Sequence, residues 1–104
     1  MAKGYWIARL DVNDDDAYKK YVTANAKPLA EFGARFLVRG GPFETAEGTS
    51  CERNVVIEFP SYQVALECYR SKEYTAAKTI RETASVGDLV IIEGYDGPQP
   101  GDAT

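Results

Sequence analysis

Apolar residues along this chain switch repeatedly between a period of two and a period near 3.6, and the order of the switches leaves few folds open. Tyr5 to Val12 reads as a strand, bounded by Gly4 and by the cluster Asn13-Asp14-Asp15-Asp16. Asn13 is placed as the N-cap of a helix, with the following acids suited to its positive end. That helix runs to about Phe32, with Tyr18, Tyr21, Val22, Asn25, Leu29 and Phe32 on one stripe. Pro28 is expected to bend or divide it, and Gly33 to end it. Ala34 to Arg39 is a second strand, stopped by Gly40-Gly41-Pro42, and Phe43 to Arg53 is a polar connection. Asn54 to Phe59 is a third strand, and Pro60 closes it. Ser61 caps a second helix with Tyr62, Ala65, Leu66 and Tyr69 on one face. Ser71 then opens a third helical piece with Tyr74, Ala77, Arg81 and Ala84 on its face. Val86-Gly87-Asp88 reads as a turn and Leu89 to Tyr95 as the last strand. Residues 1–95 form one domain, and 96–104, with two prolines and two glycines, form a flexible or partner-docked tail. The order β-α-β-β-α-β is an α+β arrangement, the ferredoxin-like split unit: an antiparallel sheet with its helices on one face.

Alternation within the strands divides their side chains between two faces. One parity holds Trp6, Ala8, Leu10, Phe36, Val38, Val55, Ile57, Phe59, Val90 and Ile92, nearly all apolar, and belongs under the helices. The other holds Tyr5, Ile7, Arg9, Arg35, Leu37, Arg39, Val56, Glu58, Leu89, Ile91 and Glu93. Apolar and charged residues interleaved in this way fit a sheet-to-sheet homodimer interface with an apolar centre and a charged rim. Composition agrees. Leu, Ile, Val and Phe supply only 22 of 104 residues, while seven Tyr and one Trp make up buried area. A thin aliphatic core of this kind gains from burial against a partner.

The chain has no histidine and a formal charge of −4. Ser-His and Cys-His nucleophile pairs and His-bearing zinc sites are therefore excluded. A pI near 4.8 argues against a nucleic-acid partner. No apolar run approaches the roughly 18 residues of a membrane span. Arg9 breaks any signal-peptide core, and Cys51 and Cys68 match no metal or redox spacing, so the chain reads as cytoplasmic with reduced thiols. No cofactor and no metal site are expected. The acids at positions 14–16 are more simply helix-start residues than ligands.

Several strings occur in order: Gly4-Tyr5-Trp6-Ile7, then Tyr18 and Tyr21, then Arg35-Phe36-Leu37-Val38-Arg39-Gly40-Gly41. Val55-Val56-Ile57-Glu58-Phe59-Pro60-Ser61, Tyr69-Arg70-Ser71-Lys72-Glu73-Tyr74 and Val90-Ile91-Ile92-Glu93-Gly94-Tyr95 follow. As a set they resemble the domain-of-unknown-function family numbered 1330, from Lys3 to about Tyr95. The resemblance implies a dimeric α+β barrel of ferredoxin-like subunits in a small bacterial protein, and no established activity. The broader superfamily includes cofactor-independent monooxygenases, haem-degrading enzymes, muconolactone-isomerase-like proteins, dye-decolourising peroxidases and ligand-sensing domains. The missing histidine sets this chain apart from the His-ligated haem members.

The candidate ligand-binding residues are Tyr21, Asn25, Arg39, Tyr69, Tyr74 and Arg81. Asn25 interrupts an apolar stripe and either holds a ligand or satisfies the backbone near Pro28. Tyr18, Tyr21, Tyr69 and Tyr74 fall on inward helix faces. They either line an amphipathic pocket between helices and sheet or are core aromatics whose hydroxyls reach the surface. Arg39, at the bare backbone of Gly40-Gly41, and Arg81, on a face with Tyr74, suit a carboxylate, or alternatively a salt bridge such as Arg39 with Glu58 or Glu93 across a dimer. Glu58, in an apolar strand, is either a base raised by burial or an arginine partner. Two functions remain open. One is a cofactor-independent enzyme acting on a small carbonyl or aromatic compound, with Tyr21, Asn25, Tyr74 and Arg81 orienting it. The other is a non-catalytic ligand-binding or structural dimer module.

Overall fold

The computed structural model describes residues 2–102. Seven elements follow in order: β1 (Gly4–Val12), α1 (Asp15–Glu31), β2 (Arg35–Arg39), β3 (Arg53–Phe59), α2 (Tyr62–Arg70), α3 (Lys72–Ala84) and β4 (Ser85–Glu93). The strands form one antiparallel sheet in the order β2-β3-β1-β4. This is the ferredoxin-like α+β arrangement, with the second helical region divided at Ser71. The expected flexible tail includes residues 103 and 104, which lie outside the described part. Residues 94–102 form no helix or strand.

The helices cover one face of the sheet because the inward residues of β1 and β3 are apolar on strict alternation. Trp6, Ala8 and Leu10 are buried, as are Val55, Ile57 and Phe59. Gly4 allows α2 to begin directly on β1, since a Cβ there would overlap the backbone of Ser61 and Tyr62. Helix boundaries follow their caps. Ser61 Oγ accepts from the Val64 amide, and Ser71 Oγ from the Tyr74 amide. Gly33, at φ 71°, closes α1: its amide donates to the Ala30 carbonyl and the Ala34 amide donates to that of Leu29. These two bonds make a Schellman ending.

Three local expectations are corrected. The N-cap of α1 is Asp14, whose Oδ1 accepts from the Ala17 amide, and not Asn13. The backbone amides of Asn13 and Asp14 both donate to the Ala84 carbonyl, which ties the start of α1 to the end of α3. Pro28 does not divide α1, which continues unbroken to Glu31 with Pro28 buried. Val86-Gly87-Asp88 is strand and not turn, because β1 is long enough to pair with all three. Gly87 lies opposite Leu10 and Val86 opposite Asp11.

The expected division of side chains between faces, with Val38, Val90 and Ile92 under the helices and Arg39, Leu89 and Ile91 opposite, is reversed for these residues in two strands. In β4, register places Leu89 opposite Ala8 and Ile91 opposite Trp6, so these two pack under the helices. Val90 and Ile92 lie on the open face, each about half exposed. In β2, Phe36 pairs with Ile57 but Val38 pairs with Val56, so Leu37 is an extra residue. This β-bulge turns Val38 to the open face and Arg39, opposite the inward Val55, to the helix side. The open face is still mixed. A row of Val38, Val56, Ile7 and Val90 crosses all four strands. Beside it, Tyr5 donates to Glu58 at 3.2 Å, and Arg9 pairs with Asp88 at 3.7 Å.

Gly87 gives a test of the β1–β4 register. A Cβ at this position would overlap the Arg9 carbonyl oxygen, whereas at Gly41 it would meet no atom within 4 Å. Gly87→Ala is expected to lower unfolding free energy by about 1–3 kcal/mol through forced separation of the strands. Gly41→Ala should stay within about 0.5 kcal/mol. Urea denaturation of the two variants checks the difference.

Candidate functional site

Between α1, α3 and the helix side of the sheet lies a narrow, partly enclosed pocket with a cavity volume of about 30 Å³. Its floor is the sheet: Trp6, Ala8 and Leu10 from β1, Val55 and Ile57 from β3, Phe36 from β2 and Leu89 from β4. Tyr18, Tyr21, Val22 and Asn25 of α1 form one wall, and Arg81 of α3 enters from the side. Arg39 and Arg53 complete the lining at the β2–β3 end. The α1 residues arrive together because positions 18, 21, 22 and 25 share one helical stripe.

Tyr21 and Tyr74 share a hydrogen bond of 2.8 Å, and Arg81 Nη1 donates to the Tyr74 hydroxyl at 3.3 Å. At the other end, Arg53 Nε donates to the Tyr18 hydroxyl at 3.0 Å. The Arg39 guanidinium carbon lies 3.9 Å from the centre of the Phe36 ring, a stacked cation–π contact. Asn25 is buried within the lining. Among the described residues its side chain makes no hydrogen bond, and no fully buried side-chain nitrogen or oxygen lacks a partner. Its amide therefore reaches the open space of the pocket.

Of the residues expected to bind a ligand, Tyr21, Asn25, Arg39 and Arg81 line this pocket. Tyr74 stands behind them, fully buried, and acts on the pocket through Tyr21 and Arg81. Tyr69 lies apart. It packs edge-on against Trp6 and beside Tyr74, with Lys78 over its ring, and does not line the pocket. Glu58 is on the open face, bonded to Tyr5. Arg53 escapes a reading that assigns it to the preceding loop. Its parity with Val55, Ile57 and Phe59 is the signal that marks it as inward.

Burial governs the acid–base properties here. Desolvation pushes the Tyr74 phenol far above its ordinary value of 10.0, with Tyr21 adding to the shift and Arg81 opposing it. Tyr18 is also raised by burial, against the opposing charges of Arg53 and Arg81. Both phenols stay neutral near pH 7. Cys68, buried under Pro28, is pushed by desolvation from 9.0 to about 12. No group of three or more His, Cys, Asp or Glu side chains placed to hold a metal occurs among the described residues.

These shifts give stability a defined alkaline limb. The unfolded thiol and phenols release protons first as pH rises, so the unfolded state binds fewer protons than the folded state. Stability should be fully present below pH 9 and decline from there towards pH 12, the window set by Cys68, with Tyr74 contributing above 10. Denaturation midpoints across that range check the slope. Tyr74→Phe should make the limb shallower above pH 10 and cost about 1 kcal/mol at neutral pH from lost hydrogen bonds.

Comparison with solved structures places the fold in a known group. A protein of unknown function from Rhodopseudomonas palustris superposes with a TM-score of 0.76 at 14% identity, over 92% of this chain and 85% of its own. SnoaB, a cofactor-independent oxygenase from Streptomyces nogalater, gives 0.62 at 8% identity, over 98% of this chain and 100% of its own. A dimeric protein of unknown function and ferredoxin-like fold from Bacteroides fragilis gives 0.51 at 13% identity, over 88% and 95%. At such identities the likeness concerns fold alone. No curated protein matches the sequence. The profile of DUF1330, a domain of unknown function, matches residues 3–95, and the chain belongs to that family.

Proposed function

We propose that this chain is a homodimeric, cofactor-independent protein of the cytoplasm whose pocket takes a small carbonyl or aromatic compound. The observation that carries the reading is the pocket itself: an apolar, aromatic-floored cavity into which Tyr21, Asn25 and Arg81 present polar atoms. A few convergent polar groups in an apolar cavity are the usual form of a small-molecule site. Trp6, Phe36 and the aliphatic residues of the strands give an apolar floor, and the Asn25 amide and Arg81 guanidinium are donors for a carbonyl oxygen.

As an enzyme, the site would act by stabilising an oxyanion. A substrate C–H or O–H next to a carbonyl loses its proton to solvent, and the electron pair moves onto oxygen. Arg81 and Asn25 then hold the resulting enolate or phenolate more tightly than the neutral form. The likeness to a cofactor-independent oxygenase supports this direction, since that class of reaction needs no bound metal or organic cofactor. One observation favours the second reading, a non-catalytic ligand-binding module. Among the described residues no carboxylate lines the pocket, so no general base faces the ligand.

The dimer rests on the open sheet face, where four β-branched side chains form a continuous row flanked by charged residues. A dimeric neighbour of the same fold supports it. Sedimentation at micromolar concentration should give twice the chain mass of 11.4 kDa. Val56→Lys, in the centre of the row, should shift it to the monomer, because a desolvated unpaired charge is costly. A wild-type monomer would remove the dimer.

Thermal-shift screening with small lactones, quinones and aromatic carbonyl compounds tests the pocket. A compound present at about a hundred times its Kd stabilises the folded state by about 2.7 kcal/mol, a readily measured rise in Tm. Asn25→Leu should abolish the rise. Recovery of the bound compound unchanged after incubation would select the binding module over the enzyme.

A further inference from the structure

The pocket is lopsided in charge. Three arginines, Arg39, Arg53 and Arg81, line it, and no Asp or Glu does so among the described residues, although the whole chain is acidic at −4. The ion pair found among the described residues, Arg9 with Asp88, lies on the opposite face of the sheet.

Arg81 is the most telling of the three. It is 9% exposed, and its side chain makes a single long hydrogen bond among the described residues, from Nη1 to the Tyr74 hydroxyl. A guanidinium has five donors, and burying it without an anion is costly. On its far side Arg81 borders a shallow depression that includes Glu82 and Asp88, yet neither forms an ion pair with it. Arg53 has the same character. Its Nε is used by Tyr18, and Nη1 lies against the backbone of Gly40, where a Cβ would collide with it. Arg39 and Arg53 are diagonal neighbours on the helix side of β2 and β3, so two like charges sit side by side. The bulge at Leu37 is what brings Arg39 to this side. Tyr18 feels both Arg53 and Arg81, which places both charges within electrostatic reach of one pocket atom.

We infer that the ligand of this pocket is an anion at neutral pH, a small aromatic or unsaturated carboxylate whose charged group is held by Arg81 and Arg53 and whose apolar part meets the apolar lining from β1, β2 and β3. This rests on the pocket being the ligand site, and it narrows the ligand from carbonyl and aromatic compounds in general to their carboxylates. Carboxylate supplies what the lining lacks: acceptors only, planar, and matched to a guanidinium in bidentate geometry.

Matched acids and amides separate the two layers of this reading. Benzoate and phenylacetate are titrated against benzamide and phenylacetamide, with heat of binding and the emission of Trp6, the single tryptophan, as readouts. The acids should bind about tenfold or more tightly than the amides, as expected when a charge-assisted pair replaces a neutral one, and should change Trp6 emission. Arg81→Met should reduce that preference to about threefold or less. It should leave Tm without ligand equal or higher, because it removes a buried cation that has no anionic partner. If that variant fails to fold, Arg53→Gln, half-buried at the mouth, should reduce the preference in the same way. Amides binding as tightly as acids would overturn the anion inference and leave the pocket standing. A preference for acids that survives both substitutions would also overturn it. Absence of binding by all four compounds, or binding that leaves Trp6 emission unchanged, would overturn the anion inference together with the pocket.

Discussion

Trp6 holds the two layers of this molecule together. Its indole Nε1 donates to the Ala65 carbonyl of α2 at 2.9 Å, from near the start of the inner strand β1. Phe59, Tyr69 and Tyr74 surround the ring at centroid distances of 4.9, 5.8 and 4.7 Å. Sheet, α2 and α3 thus meet on one side chain that is almost wholly buried. In a chain with few aliphatic residues, this aromatic cluster carries the share of burial that leucines and isoleucines carry elsewhere. Through Trp6 the cluster also lines the floor of the pocket, so the site is built against the packed core.

Tyr21 and Tyr74 follow from the same constraint. A core built of phenols must satisfy hydroxyls as well as fill space. The Tyr21–Tyr74 bond does this in pairs, and Arg81 adds a third member. The network links α1 to α3 across the back of the pocket. Hydrogen bonding here is therefore both a packing solution and the means by which the position of Arg81 is set.

Much of this was legible in the sequence. The element order, the caps at Ser61 and Ser71, the ending at Gly33 and the inward set of β1 and β3 all depend on signals within a few residues of each other. What was not legible depends on pairing between strands. Val86-Gly87-Asp88 has turn composition, and only the length of β1 opposite it makes it strand. Ile91 and Ile92 are equally apolar neighbours, so periodicity alone does not say which faces in. Register against Trp6 decides it. The bulge at Leu37 is the same problem at the site. Alternation puts Arg39 beside Arg35 on the open face, and one unpaired residue reverses it. Of the residues expected at the site, Tyr69 shared a helical face with the core but lay on its far side, a distinction that a helical stripe does not encode.

The chemistry of the pocket is set by what burial does to its polar groups. Tyr18 and Tyr74 are held neutral by desolvation, which keeps their protons available for donation and removes them as bases. The arginines are donors only, and Asn25 adds an amide. The lining therefore offers positive charge and hydrogen-bond donors against an apolar floor, with little capacity to accept a proton. A site of this kind does not drive a reaction by taking a proton from a reluctant substrate. It selects molecules already rich in negative charge at oxygen, or those that become so with little cost, and holds them in that form. Any reaction here must draw its reactivity from the bound compound, with the protein supplying position and a field of fixed sign.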